Sequence, residues 1–80
     1  MSQADATSVA ECPLLYVKVQ SGRQIEEARK RRRLTQRDLA RELGMGVRWL
    51  REIEAGNPRS RLDDHLVCAY TLGLSTGHIL

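Results

Sequence analysis

Arginine and lysine make up most of the residues here that could do chemistry, and they crowd into one stretch. Residues 21–61 hold twelve Lys and Arg against six Asp and Glu. The first twenty residues hold Lys18 against Asp5 and Glu11, and residues 62–80 hold only Asp63 and Asp64. Cationic groups gathered this way suit a polyanionic partner bound at one face, with nucleic acid foremost. A solvated basic helix is the plainer reading, and charge alone does not separate the two. The densest run, Arg29–Arg33 (RKRRR), suits a helix C-terminus. It is read as surface, partly facing a phosphate backbone, rather than as a targeting signal.

Other chemistries lack their parts. No nucleophile, base and orienting group fall into a set, so the chain is read as a non-enzyme. Cys12 and Cys68 lie far apart, and with His65 and His78 they make no zinc spacing. No metal and no cofactor is therefore expected. Two distant thiols fit a reducing, cytoplasmic setting. The start has no secretory pattern, and the apolar run Leu14–Val17 is far too short to span a bilayer, so no membrane role is expected. Cys68 reads as a small core residue, and the two histidines as surface or half-buried.

A chain of 80 residues has room for one domain. Its aromatic residues are only Tyr16, Trp49 and Tyr70. The core must come from Leu, Ile, Val, Ala and Met, which suits short packed helices, so an all-α bundle of four to five helices is expected. Residues 1–13 are small and polar and end in Pro13; they read as a flexible tail. Residues 14–20 (LLYVKVQ) alternate at Val17–Val19 and read as a short strand or arm. The domain proper is placed at 21–80.

Within 21–80, Ser21 reads as the cap of a helix running to about Arg32, with acids early and bases late. Thr35 and Asp38 have capping-box spacing, and Leu39, Ala40 and Leu43 give the next helix one apolar face. Gly44 ends it. Gly46 caps a third helix, with Leu50 and Ile53 inward and Gly56 and Pro58 stopping it. Ser60 and Asp63 read as a capping box for a fourth helix, with Leu62, Leu66, Cys68 and Ala69 facing the core. Ser75 reads as the cap of a fifth turn, with Ile79 or Leu80 closing the core.

The two helices at 35–43 and 46–55, joined by a glycine-containing turn, make a helix-turn-helix. In a DNA-binding version the second helix enters the major groove by its N-terminal part. With Leu50 and Ile53 inward, Val47, Arg48, Arg51 and Glu52 project outward. Trp49 lies between the two faces, suited either to a sugar-phosphate contact or to packing against the second helix or a loop.

The run Leu34–Gly56 resembles the Xre/Cro, lambda-repressor-like helix-turn-helix family. It meets the family's fixed positions at Leu34, Thr35, Gln36, Leu39, Ala40, Gly44, Met45, Leu50, Ile53, Glu54 and Gly56. The likeness extends over about residues 21–76 and implies a sequence-specific double-stranded-DNA-binding transcriptional regulator. It places Val47, Arg48 and Glu52 at base edges, where the Arg48 guanidinium suits guanine O6 and N7. Glu52 would either accept from cytosine N4 or pair with Arg48. Gln36 matches a phosphate-binding glutamine at a helix start. Arg37, Arg51, Arg59 and Arg61 are assigned to the phosphate backbone. Arg29 and Glu54 match a partly buried structural ion pair. A homodimer on half-sites about 34–36 Å apart is implied, with residues 14–20 and 74–80 as surfaces for it. The alternative is an antitoxin that binds a toxin protein, using residues 1–13, and represses its own promoter.

Overall fold

The computed structural model describes residues 13–74. They form four helices and no strand: α1 (Pro13–Arg31), α2 (Gln36–Leu43), α3 (Val47–Glu54) and α4 (Leu62–Thr71). The expected tail, apart from Pro13, lies outside the described residues. So do the expected fifth turn from Ser75, Cys12 and His78.

Residues 14–20, expected as a strand or arm, are instead the first turns of α1. A lone strand leaves its backbone donors and acceptors without a partner, whereas a helix satisfies them within the segment. Pro13 fits at the first helical position because no acceptor awaits its missing N–H there. Helical geometry also brings Lys18, Ser21, Gly22, Ile25, Ala28 and Arg29 onto one buried face. That places Ser21 in the middle of the helix, not at its cap.

Arg33 ends α1 in the left-handed region at φ 59°. The Leu34 N–H then donates to the Arg29 carbonyl oxygen at 3.1 Å, closing the helix end. Along α1 the backbone comes very close to the end of α3. A Cβ on Gly22 would sit 2.4 Å from the Ile53 carbonyl oxygen and 2.6 Å from that of Glu54, so only glycine fits there.

The core is shared by all four helices. Ile25 and Ala28 come from α1, Leu39 and Ala40 from α2, Leu50 and Ile53 from α3, and Cys68 from α4, with Leu72 just beyond α4. Leu43, Val47, Trp49 and Leu74 pack at its edge. Burial and the nearby Asp64 and Glu54 carboxylates push the Cys68 thiol up to about 12.

His65, expected at or near the surface, is fully buried. Its Nδ1 lies 2.8 Å from Ser21 Oγ and its Nε2 lies 3.0 Å from Ser60 Oγ. Ser60 is therefore no helix cap. Its hydroxyl donates to the Asn57 carbonyl oxygen at 2.5 Å, and Arg61 holds the cap position of α4 without a side-chain bond. The competing acceptor lies closer to hand, because the turn at Asn57 folds back on Ser60.

Candidate nucleic-acid interface

The turn between α2 and α3 is built from both sides. Thr35 caps α2: its hydroxyl accepts from the Asp38 N–H at 3.0 Å, and the Asp38 carboxylate accepts from the Thr35 N–H at 2.9 Å. That backbone donor, reinforced by the Thr35 hydroxyl contact, holds the Asp38 carboxyl below its ordinary value. At the other end Gly44 takes φ 72°, a left-handed conformation in which a side chain would be strained. Met45 N–H then donates to the Ala40 carbonyl oxygen at 2.9 Å, and Gly46 starts α3 directly. A bend this short leaves α2 and α3 no freedom to splay.

On α3, Leu50 and Ile53 are buried, which turns Arg48 outward. The Arg48 side chain is 92% exposed, so its guanidinium is available to a ligand. Its Nε lies 4.0 Å from Glu52 Oε2, the outer limit of an ion pair on one helix face. Val47 is half-buried and packs against the core with part of its side chain, leaving less of it for an outside contact. Trp49 is also half-buried. Its Nε1 donates to Asp64 Oδ2 at 3.0 Å, tying α3 to the first turn of α4. Of its two expected uses, the observed one is packing, though against α4 as well as the core.

A polar chain backs this face. Arg29 Nε donates to Glu54 Oε2 at 2.6 Å and Arg29 Nη2 to Glu54 Oε1 at 3.1 Å, with both side chains nearly fully buried. Arg29 Nη1 donates to the Leu34 carbonyl oxygen at 2.8 Å. Gln36 Nε2 also donates to Glu54 Oε1, at 2.9 Å, and its Oε1 accepts from Arg51 Nε at 3.3 Å. Four residues from α1, α2 and α3 are thus joined, from a buried guanidinium at one end to an exposed one at the other. Fork-to-fork pairing satisfies the buried charges, which offsets the cost of removing them from water.

The first-turn amides of Gln36 and Arg37 lie ahead of the first intrahelical bond of α2, Leu39 N–H to Thr35 oxygen. They remain open, and the Arg37 side chain is exposed beside them. Arg59 is exposed and its guanidinium makes no hydrogen bond or ion pair among the described residues. Arg61 pairs weakly with Asp63 at 3.5 Å. The geometry therefore joins Gln36, Arg51, Glu54 and Arg29, pairs Arg48 loosely with Glu52, and leaves Arg37 and Arg59 to solvent. No sequence pattern marks Asp64 as the partner of Trp49, or Lys18, Ser21, Ser60 and His65 as a group. The contacts of Lys18, Ser21 and Asp64 span 15 to 44 positions, a separation at which no local signal points to a partner.

Among the described residues no group of His, Cys, Asp and Glu could hold a metal ion, and no helix is long and apolar enough to cross a membrane. A family model described as a helix-turn-helix domain matches residues 20–78. No curated protein and no solved structure matches the chain.

Proposed function

Because this chain belongs to the helix-turn-helix domain family, we propose that it is a sequence-specific regulator of transcription that binds double-stranded DNA and reads the major groove with α3. One observation carries the reading. The N-terminal half of α3 presents an almost fully exposed Arg48 on a helix locked from behind by Leu50, Ile53 and the Arg29–Glu54 pair. A rigid helix with an unencumbered guanidinium near its start is what groove reading requires.

In this reading Arg48 bonds a guanine edge, Glu52 holds Arg48 or accepts from cytosine, and Val47 offers only its outer surface to a thymine methyl. The open amides of Gln36 and Arg37 and the guanidiniums of Arg37, Arg51, Arg59 and Arg61 take phosphates, which set register without reading sequence. Gln36 contributes in a second way. Its amide is held by Glu54 on one side and holds Arg51 on the other, so it orients a phosphate-binding arginine from within the fold. One such helix contacts few base pairs, and two copies on a two-fold-related site supply the remaining specificity.

Selection of bound duplexes from a random DNA library tests this directly. The expected outcome is an enriched motif with inverted half-sites about one helical turn apart. Enrichment of no motif, despite binding, would remove sequence reading from the proposal. Absence of any binding would remove DNA as the partner.

A further inference from the structure

The loop between α3 and α4 carries Arg59 and Arg61, and it is held in an unusual way. Inside the loop, Asn57 Oδ1 accepts from the Arg59 N–H at 2.7 Å, and the Asn57 carbonyl oxygen accepts from both the Ser60 N–H and the Ser60 hydroxyl. From outside, α1 reaches the loop twice. Lys18 Nζ donates to the Pro58 carbonyl oxygen at 2.7 Å. One turn further along α1, Ser21 bonds His65, which in turn bonds Ser60. Lys18, Ser21, Ser60 and His65 are all buried. Arg59 stands between the two tied residues, Pro58 and Ser60, with its own side chain exposed.

We infer that Lys18, Ser21, His65 and Ser60 are positioning residues for DNA-backbone binding: they hold the 57–61 loop so that Arg59 and Arg61 meet phosphates. This rests on the DNA-binding reading above. The proton arrangement supports a fixed clamp. The single Ser60 hydroxyl proton goes to the Asn57 oxygen, so His65 Nε2 donates to Ser60 and Nδ1 accepts from the Ser21 hydroxyl. Each group has one role, and none can be turned without leaving a buried polar atom unmatched. The α1 side needs a donor long enough to reach a loop carbonyl from inside the fold. A lysine does this with its stem along the core surface.

Removing an arginine from a phosphate weakens binding to all sequences alike. It also reduces the salt dependence, by about 0.9 in the log–log slope for each phosphate no longer neutralised. The test measures affinity of the full chain against salt concentration, for a selected duplex and for one of arbitrary sequence. Ser60→Ala leaves net charge unchanged. It is expected to flatten the slope on both duplexes equally while circular dichroism shows the helices intact. In an Arg59→Ala/Arg61→Ala background the same change is expected to do nothing further. Lys18→Met, measured in both backgrounds, tests the other tie in the same way if Ser60→Ala fails to fold. A wild-type slope in a folded variant, or an effect that persists without the two arginines, overturns the positioning role. If the unaltered chain binds neither duplex, the DNA-binding reading itself fails first.

Discussion

Replacing Arg29 by Met strands the Glu54 carboxylate, and replacing Glu54 by Leu strands the Arg29 guanidinium. Both side chains are over nine-tenths buried, and Glu54 accepts three hydrogen bonds, two from Arg29 and one from Gln36. A buried charge left without its partner costs about 3–5 kcal/mol. A chain of this size has about 4–12 kcal/mol of total stability, so either single change removes a large share of it. Replacing both with Met and Leu removes both charges together, and apolar pairs of similar volume often cost little or stabilise. The double variant is therefore expected to be more stable than either single one. Urea unfolding followed by circular dichroism measures all four proteins of the cycle, and Trp49, the only tryptophan, gives a second probe. Single variants that lose less than about 1 kcal/mol, or a double variant that loses the sum of the two, would refute the reasoning.

Gly22→Ala is expected to cost about 1–3 kcal/mol in the same assay, because its Cβ meets backbone oxygens of Ile53 and Glu54 that have no room to give. In a Cys12→Ser background, Cys68 should resist alkylation at neutral pH and react quickly once urea unfolds the chain. The Cys68 thiol has a higher pKa folded than its ordinary 9.0, so its contribution is complete below about 9 and is lost as pH rises towards about 12. Unfolding measured across that range should show stability falling with alkali, more so than in Cys68→Ala.

The α2–α3 pair could be read because its signals are local. Thr35 and Asp38 cap at fixed spacing, Gly44 ends one helix, and Leu50 and Ile53 mark the inner face of the next. The start of α1 could not. Its core-facing positions are Lys18, Ser21, Gly22, Ile25, Ala28 and Arg29, so half the stripe is polar and the usual apolar period is hidden. Meanwhile Val17 and Val19 imitate a strand. Ser21 and Ser60 have the chemistry of caps, yet each spends its hydroxyl on a long-range or turn contact around His65, a residue whose burial depends on elements far away in sequence. Gln36 shows a subtler limit. Its placement at a helix start was legible, but its bonds to Glu54 and Arg51 depend on how α3 crosses α2.

Arg48→Ala tests the central claim most directly. Affinity is measured for the selected duplex, for each single-base variant of it, and for an arbitrary duplex. The predicted result is a loss of about 1–3 kcal/mol on the selected site, preference relaxed at one base position, and little change on the arbitrary duplex. An equal loss on every sequence would contradict it, because Arg48 would then be one more phosphate contact and α3 would not be the reading helix.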